Sequence, residues 1–287
     1  MIPDSTRGAR LDASATLIVP ARLASTRFPE KILASSTGKP LVQHVVERAA
    51  LARCAREVVV AADDKRVVDA LRSYGTRVIL TRVDHPNGTS RLSEAAELLG
   101  LGDDQIVVNV QGDEPELDAE AIDSSVGSLL MHASADVGTV AAPIVDAREL
   151  ADPNVVKVVR AIDGRALYFS RAPIPFDRDA RGAGGAGGTS TPAATPGALR
   201  HVGVYAYRVK FLRAYASLAI TPLEHIEKLE QLRVLEHAHV IAVGLCRVAH
   251  PGIDTPEQYE AFVRRYTARA QSNREAASGR VGEVGRA

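Results

Sequence analysis

The chain has no tryptophan, and aromatic residues make up only 4% of its 287 positions. Proteins that read single-stranded nucleic acid stack bases on aromatic side chains, so this scarcity argues against such a surface. Cysteine is almost absent too. Cys54 and Cys246 stand far apart without a C-x-x-C partner. That spacing excludes a disulfide framework and reads as two reduced thiols in a reducing compartment. There is no excess of either charge: 35 Lys and Arg balance 35 Asp and Glu. No overall field therefore favours nucleic acid or an anionic membrane. The histidines show no H-x-x-x-H spacing, which argues against structural zinc. No apolar run approaches a membrane span, and "MIPDSTRGARLDASAT" has no apolar leader core, so a soluble, cytoplasmic protein is expected.

What is present is a 46% apolar chain with a marked rhythm. Short β-branched runs ("ATLIVP", "EVVVAAD", "RVILT", "QIVVNVQG") alternate with helical patterns ("LVQHVVERAALA", "KRVVDALRSYG", "TSRLSEAAELLG"). Buried runs separated by helices mark a parallel sheet covered on both faces. The expected fold is a three-layer α/β/α sandwich with right-handed crossovers. After residue 135 the strand-like runs "DVGTVAAPI", "NVVKVVRAI", "RALYFSR" and "LRHVGVYAYR" crowd together, so mixed or antiparallel additions and a smaller subregion are expected. Two helices follow, "PLEHIEKLEQLRVLEHA" and "TPEQYEAFVRRYTARA". The chain divides into a mobile extension at 1–13, one domain at 14–269 and a mobile tail at 270–287.

Two motifs are decoys. Gly182, Gly184 and Gly187 have dinucleotide-fingerprint spacing, but their flanks can form neither the required strand nor the helix. The tract reads as a flexible insertion at about 180–198. "STGKPL" lacks the upstream glycine of a phosphate loop, and Pro40 replaces the hydroxyl that would meet magnesium. It reads as a turn opening the next helix.

Ligands of an open parallel sheet bind beyond the carboxyl ends of its strands. The loops expected there are "PARLASTRFPEK", "ADD", "RVDHPNGTSR" and "QGDEP". The first carries Arg22, Arg27 and Lys31, and the last carries Asp113 and Glu114. A triphosphate with a divalent ion asks for that combination: cations for the phosphates and a carboxylate for the metal. Singly, each loop also reads as solvated charge or turn chemistry, and their convergence on one edge favours the anionic ligand. Glu224, Glu227 and Glu230 recur three apart, hence along one helix side. On their own they read as a solvated stripe pairing with Lys228 and Arg233. Asp254, before Thr-Pro-Glu, reads as a helix N-cap.

The stretches "PARLASTRFPEK", "TRVDHPNGTSRLSE", "VVNVQGDEP", "LYFSRAPIPFDR", "RHVGVYAYR", "PLEHIEKLEQLR" and "PGIDTPEQY" together resemble the 3-deoxy-manno-octulosonate cytidylyltransferases, over about residues 15–266. These are the CMP-Kdo synthetases of lipopolysaccharide biosynthesis. The first stretch alone is shared with sialic acid cytidylyltransferases; "QGDEP", "YFSR", "RH-x-G-x-Y" and "LE-x-IE-x-LEQLR" are narrower. The resemblance implies a nucleotidyltransferase fold, a homodimer, Mg2+ dependence and the reaction CTP + Kdo → CMP-Kdo + diphosphate. It also implies site residues. Arg22, Ser25, Arg27 and Lys31 fall on the CTP phosphate loop, and Arg82, His85 and Gly88 on the nucleotide-side loop. Asp113 and Asp254 match the metal-binding aspartates, and Arg22, Arg27, Lys31 and Asp113 carry catalysis. Gln111, Tyr168, Arg171, His201, Tyr205, Glu224, Glu227 and Gln231 fall on the sugar side. Arg171 is the expected partner of the sugar carboxylate, because a guanidinium fork matches that group.

The chain departs from the family pattern at Glu30, where Gly is frequent, at Ile32 for Pro, at Ala62 for Thr and at Ser90 for Glu. Its glycine-rich insertion is also longer. Two alternatives stay open: another 2-keto sugar acid (sialic, pseudaminic or 8-amino-Kdo type), or a non-catalytic nucleotide-sugar binder.

Overall fold

The computed structural model describes residues 14–178, 195–247 and 252–283, with side chains to residue 272. The expected extension at 1–13 and nearly all of the glycine-rich tract lie outside the described residues. The apolar runs pair as a parallel block. β1 (Ala15–Ala21) lies between β2 (Ala55–Ala62) and β4 (Ile106–Asn109), and β3 (Arg77–Leu80) flanks β2. Beyond β4 one strand reverses. β8 (Leu199–Arg208) runs antiparallel to both β4 and β5 (Val137–Pro143), and β9 (Ile241–Leu245) runs parallel to β5. β6 (Lys157–Arg160) and β7 (Ala166–Ser170) form an antiparallel hairpin that meets β8 at Lys157 and Arg200. β9 is absent from the sequence reading; Ala242 and Gly244 interrupt its β-branched residues Ile241 and Val243.

Side chains alternate across the sheet with period two, which builds two cores. Leu17, Val19, Val60 and Val108 face α1 (Leu41–Ala49), α2 (Lys65–Leu71) and α4 (Ala119–Met131). Ile18, Ala61 and Val107 face α3 (Gly88–Leu98), α6 (Val209–Tyr215) and α8 (Gln231–Glu236). The result is the expected three-layer α/β/α arrangement. α5 (Ala147–Ala151) closes a small satellite core with Ile144 and Ala198.

Two helix expectations are corrected. "PLEHIEKLEQLRVLEHA" is not one helix: α7 (Pro222–Glu227) stops where Lys228 takes a left-handed conformation, φ 54°, and α8 restarts at Gln231. The break lets Leu229 and Leu232 both reach the core. The last helix, α9 (Pro256–Glu283), continues well past residue 270, through helix formers such as Ala268, Arg269, Ala270 and Gln271.

α9 is seated on α1 by an aromatic cluster. Leu41, Ile253, Tyr259 and Phe262 are buried together, with Phe28 and Tyr266 packed against them. The His44 ring meets Phe262 and Tyr266 edge-on at 5.1 and 4.6 Å, and Nε2 hydrogen-bonds Thr37 Oγ1 at 2.7 Å. Burial pushes the His44 pKa down to about 4; nearby Lys39 adds to this and Glu47 opposes it. The imidazole is therefore neutral in the folded state at pH 7.

An unfolded histidine titrates near 6.5, so between pH 6.5 and 4 the unfolded chain binds more protons at this site. Stability is expected to fall as pH drops through that window, by about 2 kcal/mol at pH 5 from this residue. Urea midpoints at pH 7 and pH 5 check it. His44→Gln should flatten the difference, and an unchanged slope would remove His44 as its source.

Candidate active site

The loop after β1 is fastened at its apolar positions and open at its polar ones. Leu23 and Ile32 are buried, and Phe28 packs on Tyr259 with ring centroids 5.6 Å apart. The Leu23 backbone N–H donates to Asp63 Oδ1 at 3.2 Å, and the Glu30 N–H closes the loop on Leu23 O at 3.3 Å. Arg22, Ser25 and Arg27 face a cleft of about 880 Å³ at the carboxyl edge of the parallel strands. That is ample room for a substrate-sized ligand. Glu30, the anion inside this cationic loop, is not part of the cleft wall. It occupies a left-handed position, φ 56°, and its carboxylate pairs with Arg66, which also holds Asp64, the N-cap of α2.

Lys31 ends the loop and reaches across the cleft floor. Its ammonium donates to Asp113 Oδ2 at 2.5 Å, Ile253 O at 2.9 Å and Asp254 Oδ1 at 3.0 Å. Burial disfavours the charged amine, but Asp113 and then Asp254 outweigh it and raise the Lys31 pKa. Arg27 pairs with the other Asp254 oxygen at 2.9 Å. Two carboxylates from distant loops thus converge on one point, half-exposed to the cleft.

Local chemistry places each of them. A Cβ on Gly112 would lie 2.7 Å from Pro20 O, so only glycine lets the loop after β4 pass the end of β1. The Ile253 N–H donates to Asp113 O at 2.8 Å and stitches the two aspartate loops together. The expected N-cap role of Asp254 belongs instead to Thr255. Gln258 N–H donates to Thr255 Oγ1 at 3.4 Å, and Gln258 Oε1 accepts from Thr255 N–H at 3.1 Å, a reciprocal capping box. The Asp254 carboxylate is thereby left to Lys31 and Arg27. Beneath Asp113, burial first, and then the Asp113 and Asp254 charges, push the Glu114 pKa up to about 8, against Arg200.

On the α3 side, His85 and Gly88 line the cleft, with His85 Nε2 bonded to Glu94. Arg82 does not line it; its guanidinium turns to Asp84 at 3.4 Å. Asn87 is the N-cap of α3, and Ser90 in the first turn answers it: its N–H donates to Asn87 Oδ1 at 2.8 Å and its hydroxyl to Asn87 O at 3.0 Å. Ala62 contributes its backbone carbonyl, which accepts from Thr81 N–H and Oγ1 at 2.8 and 3.1 Å.

On the β8 side, Gln111, Arg171, His201, Tyr205 and Gln231 line the cleft. A register shift in the β5–β8 pairing lies opposite Gly203, whose carbonyl accepts from Gln111 Nε2 at 3.4 Å. His201 Nε2 meets Thr139 Oγ1 at 3.0 Å, and burial, with Arg200 adding to it, pushes its pKa down to about 3. Glu227 and Tyr168 do not line the cleft. The Glu227 carboxylate accepts from Ser170 Oγ at 2.6 Å, Arg171 N–H at 3.0 Å and Tyr168 Oη at 3.4 Å. Burial opposes its charge, but those donors hold its pKa below the usual range. Glu224 is likewise taken out of the expected wall: Arg233 grips both its oxygens, Nε at 2.7 Å and Nη2 at 2.6 Å, in a buried pair. Glu224 lies before the helix break at Lys228, inside α7, so its partner on α8, Arg233, and not the break, takes it from the wall.

Sequence reasoning missed several lining residues. Asn109 is 4% exposed, yet its Oδ1 has no hydrogen-bond partner, and the Tyr215 hydroxyl is similarly unmatched. Thr89 Oγ1 donates to Glu230 Oε2 at 3.3 Å beside them. The one available signal was Asn109 itself, an amide inside the apolar run "IVVNV".

A family model described as cytidylyltransferase matches residues 16–241. The chain is similar to a solved CMP:2-keto-3-deoxy-manno-octonic acid synthetase complexed with CTP, at 36% identity and a TM-score of 0.79, over 90% of this chain and 100% of that one. A cytidylyltransferase from Leptospira borgpetersenii serovar Hardjo-bovis is 15% identical at a TM-score of 0.53, over 88% of this chain and 85% of that one. A 4-diphosphocytidyl-2C-methyl-D-erythritol synthase is 12% identical at the same TM-score of 0.53, over 88% and 98%. The last two likenesses speak to the fold alone.

Glu224→Ala leaves the buried Arg233 guanidinium, among the described residues, with Leu218 O at 3.4 Å, the Tyr215 ring at 4.9 Å and the weaker pull of the Glu230 charge. The expected loss in urea-unfolding free energy is about 3 kcal/mol or more. A carboxylate that merely faced the cleft would be removed at little cost, so an unchanged midpoint would return Glu224 to the wall.

Proposed function

The chain belongs to the CMP-Kdo synthetase family of cytidylyltransferases, and from that premise we propose that it transfers the cytidylyl group of CTP to the 2-hydroxyl of Kdo, releasing diphosphate. The observation that carries this reading is the convergence of Asp113 and Asp254 on Lys31, beside the Arg22 and Arg27 loop and across from the His201 and Tyr205 wall. In the reaction the sugar hydroxyl attacks the α-phosphorus in line and diphosphate leaves. Catalysis of this kind rests on positioning and charge neutralisation.

Asp113 and Asp254 fit a magnesium ion. Their oxygens already balance one cation, the Lys31 ammonium, and among the described residues no third His, Cys, Asp or Glu joins them to make a protein-only cage. Magnesium prefers one or two carboxylates and keeps its other positions for substrate phosphate and water. When bound, it would lower the pKa of the sugar hydroxyl and screen phosphate charge.

The remaining work falls to side chains. Arg22 and Arg27, exposed in the cleft, donate to phosphate oxygens of the leaving diphosphate, with Lys31 as the third cation. His201, with its pKa near 3, is too weak a base to take the hydroxyl proton at neutral pH, so it orients the sugar. Gln111, Tyr205 and Gln231 offer hydrogen bonds to hydroxyls, and Glu230 adds a carboxylate acceptor beside Thr89. The product would be the activated donor for lipopolysaccharide biosynthesis. Exposed Ile162 and Leu167 on the β6–β7 hairpin support a homodimer. A cytoplasmic location is supported by the scarcity of cysteine, and among the described residues no helix is long and apolar enough to cross a membrane.

Diphosphate release from CTP and Mg2+, measured over a panel of 2-keto sugar acids, tests the reading. Kdo is expected to give the highest kcat/KM, and release with a sialic or pseudaminic acid alone would reassign the substrate. Binding of nucleotide and sugar without release would make the chain a sensor. Asp113→Ala is expected to lower kcat by a factor on the order of 10²–10³ while remaining folded. Near wild-type turnover in that variant would sink the metal assignment.

A further inference from the structure

The cation expected to receive the sugar carboxylate has two of its five guanidinium N–H donors engaged by the protein. Arg171 Nε donates to Glu227 O at 2.8 Å and Nη1 to Pro153 O at 2.9 Å. Its backbone is fixed as well. Lys157, fully buried, donates to Arg171 O at 2.6 Å and to the carbonyls of Asp152 and Val155. Arg171 is therefore held in place with Nη2 and one Nη1 N–H left for a ligand, and a second cation beside it would complete the reception of a carboxylate.

A second cation lies on the same wall. Lys228 lines the cleft with Arg171, and among the described residues no hydrogen-bond or ion-pair partner engages its ammonium. The nearby carboxylates are otherwise committed: Glu227 to Ser170, Tyr168 and the Arg171 N–H, and Glu224 to Arg233. Glu230 accepts from Thr89, across the cleft on α3. Lys228 also holds the left-handed conformation that separates α7 from α8. Glycine would adopt that turn without a Cβ clash, so the backbone break alone gives no reason for a lysine. A strained residue in a ligand cleft points to what its side chain does.

We infer that the Lys228 ammonium binds the carboxylate of the sugar acid beside Arg171, which makes Lys228 a determinant of preference for a sugar acid over its uncharged counterpart. The inference rests on the cytidylyltransferase reading above, and it adds a residue that neither the motif pattern nor the acidic stripe assigned to substrate.

The test is steady-state diphosphate release at saturating CTP and Mg2+ for wild type, Lys228→Met, Lys228→Gly and Lys228→Arg, with the sugar acid varied. Every acid of the panel carries the carboxylate, so the measurement uses whichever acid is turned over. The expected result is a rise of about tenfold in KM for the sugar acid in Lys228→Met and Lys228→Gly. The KM for CTP should change less than about twofold, and Lys228→Arg should recover most of the loss. Lys228→Gly relieves the left-handed strain, so its thermal midpoint should not fall, which separates lost binding from lost folding. Competitive inhibition by a 2-deoxy sugar acid and by its carboxamide gives the chemical signature: wild type should prefer the acid, and Lys228→Met should lose that preference. An unchanged KM for the sugar acid, or equal weakening of acid and carboxamide, would overturn the assignment of Lys228 alone. Wild type that releases diphosphate with no acid would overturn both this inference and the reading beneath it.

Discussion

Three segments that are distant in sequence meet at the Lys31 ammonium. Asp113 approaches from the end of β4, and Ile253 O and Asp254 from the approach to α9, each within 3.0 Å. Two carboxylates so placed repel one another unless a cation lies between them. The lysine supplies that cation and keeps the pair aimed at one point. Much of the surrounding structure serves that arrangement. The aromatic seat of α9 on α1 fixes where the approach to α9 begins, and the Thr255–Gln258 capping box satisfies the helix end without using Asp254. Gly112 lets the other loop pass the end of β1 closely enough for its aspartate to arrive.

The opposite wall depends on a break. Left-handed Lys228 separates Glu230 from Glu224 and Glu227 of α7, and the three glutamates have three tasks. Glu224 neutralises Arg233 inside the core, Glu227 gathers the turn after β7, and Glu230 remains in the cleft. The same turn presents Glu227 O to Arg171, so this arginine is held as much by backbone carbonyls as by its own strand. A rigid wall of this kind suits transfer chemistry, in which placement of the acceptor hydroxyl supplies much of the rate.

The cationic loop shows how one chain can carry an odd residue without disturbing its chemistry. Glu30 sits where a left-handed backbone favours glycine, and its charge is drawn outward by Arg66, away from the cleft. The anion and the three cations share a loop but face different sides of it. Ser90 and Ala62 are absorbed in the same local way, one by donating to the Asn87 cap of α3 and the other by using only its backbone carbonyl.

The alternation of short apolar runs with helical patterns determined the layered fold, because burial on both faces of a parallel sheet leaves that mark in any chain that folds so. Loop position and charge also brought Arg22, Arg27, Lys31 and Asp113 to one cleft, because strand ends in such a sheet point to one edge. Tertiary structure alone decided which of the remaining polar residues reach the cleft. Glu224 and Arg82 turned to partners that no local pattern specifies, and Asn109 and Tyr215 brought unmatched polar atoms into it from buried positions. The helix break at Lys228 was equally hidden, since a lysine carries no signal for a left-handed turn and only packing of Leu229 and Leu232 demands it. Periodicity records how much of a segment is buried; the direction in which a charged side chain points is set by contacts between segments far apart in the chain.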